Sequence, residues 1–150
     1  MITDALLAYL HFTAILILAS ALGAEALLLR AQAGAATIRS LARADILYGI
    51  SSGVVIATGL LRLYFGIKGS VFYTANPVFW AKMALFVVVG LISIPPTLKF
   101  IRWRRRLAAD AAFLPAAGEL AAVRRIVFIE LHLLALVPLA AVFMARGLGI

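Results

Sequence analysis

The chain has 150 residues, 65% of them hydrophobic, with fourteen Lys and Arg against six Asp and Glu, a net charge of +8 and no cysteine. A soluble domain is nearer to half apolar, so no water-facing surface can be assembled from what remains, and the class is integral membrane protein. The missing cysteines exclude disulfides, thiolate metal sites and cysteine nucleophiles.

Four apolar blocks are long enough to cross about 30 Å of hydrocarbon at 1.5 Å per residue, at about 4–29, 45–66, 77–98 and 123–146. The first opens "MITDALLAYLHF". A signal peptide would carry a basic start and a short apolar core; an acidic Asp4 and a long apolar run predict a retained helix instead. The connection "RAQAGAATIRSLARAD" is small and basic. The second block holds "YGISSGVVIATG", where Gly49, Ser52, Gly53, Ala57 and Gly59 permit close backbone approach in lipid. That space suits helix packing, and it also suits a flat cofactor. The connection "GIKGSVFYTANP" carries Gly, Asn and Pro turn signals.

The third block, "NPVFWAKMALFVVVGLISIPP", places Lys82 near its start. Pro95 and Pro96 are expected to kink or end that helix, because proline cannot donate the helical hydrogen bond. The third connection, "RWRRRLAADAAFLPAAGELAAVRR", is basic at both ends and reads as a separate interfacial helix. The predicted fold is all-α: one domain over 1–150, an antiparallel bundle of four transmembrane helices.

Ten of the fourteen basic residues lie by the first and third connections. Lys and Arg accumulate on the cytoplasmic side, so that end is expected to be cytoplasmic and both termini periplasmic. Basic residues confined to the ends of apolar blocks argue against a nucleic-acid partner.

A charge at the bilayer centre costs at least about 2.5–3.5 kcal/mol, so ionisable groups retained in spans face the interior with a partner. His11 lies about 9 Å and Lys82 about 8 Å in from the outer face by helical rise, and Arg62 is near the same depth. Three helices therefore bring His11, Arg62 and Lys82 to one layer. Glu25, Asp45 and Glu130 form a second, acidic layer toward the basic connections, expected to form ion pairs with the nearby arginines. Proton transfer along these carboxyls is the sharper reading.

Several readings of the outer layer stand side by side. Lys82 can snorkel to the interface, and His11 can be a hydrogen-bonded packing residue. A simple metal site lacks a second His or carboxylate one turn from His11. In a haem b site, neutral His11 would ligate the iron, with Lys82 as second ligand or general base, and Arg62 and Lys68 would meet the propionates. Tyr64, Tyr73 and Trp80 would line the outer cavity. His11 and His132 differ by roughly 10 Å in depth, so one haem bridged by both is not expected.

The stretches "LLAYLHF", "ADILYGISSGVVIATGLLRLYFGIKGSVFYTANPVFWAKMALF" and "LISIPPTLKFIRWRR" resemble a family of small bacterial membrane proteins, domain of unknown function 2214. More distantly, "YLHF" and "FWAKMALF" are similar to HemJ-type protoporphyrinogen oxidases and CopD-like copper-resistance membrane proteins. In the HemJ family an early His and a Lys after a Trp in the third helix are the haem-associated pair; carried over, they fall on His11 and Lys82. "TAILILASALGAEALLLR" departs from that family's Trp- and Gly-rich continuation. The resemblance implies a multi-pass protein of the bacterial inner membrane, an oxidoreductase with haem b, and quinone or porphyrin as partner. Against it stand a non-enzymatic scaffold or accessory subunit, forming a homo-oligomer through Gly49, Gly53 and Gly59, and a lipid or quinone pocket without haem. A small transporter is a further class.

Overall fold

A computed structural model describes residues 2–67 and 69–148. They form α1 (Ile2–Leu28), α2 (Ala35–Phe65), α3 (Gly69–Thr74), α4 (Pro77–Ala109) and α5 (Ala117–Ala145). The four long helices are each long and apolar enough to cross a membrane, and α3 is a short link between α2 and α4. Among the described residues there is no strand.

The long helices stand in a ring: α1 packs on α2, α2 on α4, α4 on α5, and α5 closes on α1, while the diagonal pairs stay apart. This is the antiparallel up-down-up-down bundle. Its buried stripes recur at three- and four-residue steps, the spacing of one helical face. In α1 they run Ala14, Leu18, Ala21, Leu22 and Glu25. In α5 they run Val123, Val127, Glu130 and Leu134. Leu16, Ile50, Val87 and Leu91 are among the large side chains left exposed, as expected where the surroundings are lipid rather than water.

Three boundaries differ from the hydropathy reading. Helix α2 begins at Ala35, α4 continues to Ala109, and α5 begins at Ala117. No separate interfacial helix forms: "RWRRRLAA" is the end of α4, "AGELAAVRR" opens α5, and the connection shrinks to 110–116. Ala, Leu and Arg are strong helix formers, so the helices run on past the apolar blocks. Helix α4, at 33 residues, is about 50 Å long and overshoots the hydrocarbon.

Pro95 and Pro96 lie inside α4, which does not end there. Lacking N–H groups, they leave the carbonyls of Leu91 and Ile92 without their usual donor. The start of α4 is firmly built. Asn76 is fully buried; its Oδ1 accepts from the Val78 N–H at 2.8 Å and its Nδ2 donates to the Leu148 carbonyl at 3.1 Å. Pro77 fills the first helical position, where a missing N–H costs nothing.

Candidate functional site

At the end of the bundle holding both termini, α1 lays His11 against α2. The imidazole Nδ1 lies 2.8 Å from Thr58 Oγ1, and the Thr58 hydroxyl donates to the Val54 carbonyl at 2.6 Å. A hydroxyl has one hydrogen. With that hydrogen committed to Val54, the hydrogen-bond network assigns the donor role to His11 Nδ1–H. The Nε2 lone pair is then free. Gly59 makes the approach possible: a Cβ built there would sit 3.3 Å from His11 Cε1.

Arg62 and Lys82 are the charged groups that act on this ring, and Arg62 acts in turn on Lys82. The three residues that helical rise placed in one layer thus lie within electrostatic reach of one another. Neither cation has a carboxylate partner: among the described residues the one ion pair is Lys99 with Glu119, at the opposite end. The Arg62 guanidinium lies over the Phe12 ring, 5.4 Å from its centroid, while its Nε is buried without a partner. Lys82 Nζ lies 5.3 Å from the centroid of the buried Phe79 ring. Phe79 packs edge-on against Trp80 and tilted against Tyr73.

The remaining expected site residues are spread more widely. Tyr73 is half-buried beside Phe79. Trp80 is exposed, with its indole N–H donating to the Thr74 carbonyl at 2.9 Å. Tyr64 is exposed, and Lys68 lies outside the described residues. His132 does not face the interior: it is exposed, and its Nδ1 lies 2.7 Å from the Phe128 carbonyl one turn back.

Gly49 and Gly53 meet nothing within the chain where a Cβ would stand. They present an open stripe on α2 rather than a packing contact, unlike Gly59.

Nearer the basic end a second polar layer is buried. Glu25, Asp45 and Glu130 are 2%, 8% and 1% exposed. The charges acting on Glu25 are those of Asp45 and Glu130, so carboxyls from α1, α2 and α5 converge. Thr97 of α4 donates to Asp45 Oδ1 at 2.6 Å, and the Tyr48 hydroxyl lies near Glu130 and Ser93. The ion pairs expected between these carboxyls and the nearby arginines do not form among the described residues. All nine arginines at that end are exposed, and most of them sit on the helix extensions beyond the carboxyl layer.

Two grooves open at the same end. One, of about 440 Å³ between α4 and α5, contains Lys99 and Glu119. The other, of about 340 Å³ between α2 and α4, has Asp45 and Thr97 on its wall and Arg104 at its rim. Glu119 is held by two donors from α4, the ammonium of Lys99 and the indole N–H of Trp103 at 3.1 Å.

Sequence reading missed Thr58, Tyr48 and Thr97. The first two were detectable, since Asp45, Tyr48, Ser51, Val55 and Thr58 recur at three- and four-residue steps along one buried face. Polar residues in register with a buried stripe are interior groups.

Four candidate spans around a half-buried basic layer and a buried acidic one are those of a small multi-pass membrane protein. The chain belongs to the family described as predicted membrane protein (DUF2214), which it matches over residues 3–149. No curated protein and no solved structure matches it.

Proposed function

We propose that the chain is a haem b-binding membrane protein of redox type, with His11 Nε2 as axial ligand near the outer face. The observation that carries this reading is the 2.8 Å contact between His11 Nδ1 and Thr58 Oγ1, in which the Thr58–Val54 bond leaves Nδ1–H as the donor. Metal-ligating histidines characteristically donate their other N–H to a fixed acceptor, which sets the tautomer and the ring orientation. Two unpaired cations beside the ring, Arg62 and Lys82, suit the propionates. Lys82 as the free amine is the candidate second ligand or base, and Tyr73 and Trp80 flank it through Phe79. Bound haem would supply one-electron chemistry, exchanged with quinone or oxygen or applied to a porphyrinogen. The chain's part is to orient the ligand and neutralise the carboxylates. The ten-residue basic bias favours an orientation with this layer toward the periplasm of a bacterial inner membrane.

The test is the absorption spectrum of detergent-purified protein made with haem precursor, recorded oxidised and then dithionite-reduced. The expected result is a Soret band that shifts on reduction at near-stoichiometric haem. It disappears in His11→Ala, changes in Lys82→Ala and persists in His132→Ala. A colourless protein that also refuses added hemin sinks the reading. The open stripe of Gly49 and Gly53 then favours a scaffold that pairs with a second helix through small residues.

A further inference from the structure

We propose that Glu25, Asp45 and Glu130 form an intramembrane proton-binding site, reached from the basic end of the bundle through the groove at Asp45. The site is separate from the His11 layer, and nothing in the haem reading uses it.

Three helices each contribute one acidic side chain to the buried layer, and none forms an ion pair among the described residues. Glu25 Oε1 and Glu130 Oε1 are buried without any hydrogen-bond partner. Burying an ionised carboxylate costs several kcal/mol unless a counter-charge and hydrogen bonds compensate it. The layer therefore requires a cation that the chain does not supply.

The geometry narrows which cation. Among the described residues no group of three or more His, Cys, Asp or Glu is arranged to hold a metal ion. A metal needs several oxygens converging on one point, whereas a proton needs one oxygen and turns that carboxylate into a donor. The groups facing the layer are all able to accept or pass a proton. Asp45 and Tyr48 come from α2, Ser93 and Thr97 from α4, and the two glutamates from α1 and α5. The step is a plain acid–base exchange: a proton from water adds to a carboxylate oxygen, and the reverse releases it, with no change of oxidation state.

Access follows from the exposures. Glu25 and Glu130 are sealed at 2% and 1%, while Asp45, at 8%, stands on the wall of the 340 Å³ groove between α2 and α4. Asp45 is thus the group through which the deeper pair exchanges protons with the basic end.

Infrared spectroscopy of the protein in lipid vesicles at neutral pH tests both parts. The expected spectrum contains a carboxylic-acid carbonyl band, diminished in Glu25→Gln and in Glu130→Gln, whose shift on transfer to deuterium oxide is slowed in Asp45→Asn. Labelling the unmodified protein with a lipophilic carbodiimide, which attacks protonated carboxyls, gives a readout that needs no variant. Peptide mass mapping should find the adduct on Glu25 or Glu130 and should find less of it as pH rises. A spectrum with carboxylate bands alone, together with no adduct, overturns the site. An Asp45→Asn variant that exchanges as fast as the parent overturns the route.

Discussion

The imidazole of His11 rests closely on the bare backbone of Gly59: a Cβ at that glycine would lie 3.3 Å from His11 Cε1, tight enough that the ring would have to give by a few tenths of an ångström. Glycine in mid-helix costs about 1 kcal/mol relative to alanine, and here the close approach explains its use. Gly59→Ala should leave the melting temperature nearly unchanged, because the helix gain offsets displacement of the ring by a few tenths of an ångström. Gly59→Val should dislodge His11 and abolish its ligation. Thermal melts and hemin titrations of the two variants separate these effects.

Thr58 is the acceptor that fixes the His11 tautomer. Thr58→Val keeps the shape and removes the oxygen, at a cost of about 1 kcal/mol for the lost hydrogen bond. Hemin affinity should fall about 10–100-fold, the usual penalty for losing the partner of a ligating histidine. Thr58→Ser should restore it. Equal affinities for all three proteins in an absorbance titration would remove Thr58 from the site.

At the other end, Glu119 clamps α5 to α4 through Lys99 and Trp103. The pair is partly open to solvent, with side chains 35% and 24% exposed, so charge alone is worth under about 1 kcal/mol. Glu119→Ala also strands the indole N–H of fully buried Trp103, which adds about 1–3 kcal/mol. Lys99→Met should therefore cost less than Glu119→Ala. The Lys99 contribution alone should shrink with added salt, as melts at low and high ionic strength would show.

Asn76 caps α4 and anchors the Leu148 carbonyl with the same side chain. Asn76→Ala loses the cap, about 1 kcal/mol, and removes the donor to the Leu148 carbonyl. The first turn of α4 should fray, and hydrogen exchange should quicken in the segment leading to Lys82. Unchanged exchange there would separate the cap from the outer layer.

The number of spans and the shared layer of His11, Arg62 and Lys82 were legible because long apolar blocks and a fixed helical rise determine both. The helix ends were not, since hydropathy falls where the hydrocarbon stops, while Ala, Leu and Arg carry the helix onward. That overshoot also defeated the expected arginine–carboxylate pairs, which share an end of the bundle but not a depth. His132 shows how azimuth matters beside depth. It follows buried Glu130 by two residues, about 200° around the helix, so one of the two had to face outward. The Thr58 hydroxyl escaped notice because a hydropathy scale treats threonine as neutral filler.

The ring of four helices is uneven: α1 with α2, and α4 with α5, pack more extensively than the two pairs pack on each other. The chain is thus two hairpins, each turning between helix ends that carry basic residues, joined by the stretch around α3. Each hairpin carries its own orientation signal, so a break in that stretch leaves two halves that insert in the same sense. They would meet where α2 packs on α4 and α1 on α5, the contacts that close both polar layers. Fragment complementation is written into this topology, and reassembly from co-expressed halves depends on the same two polar layers.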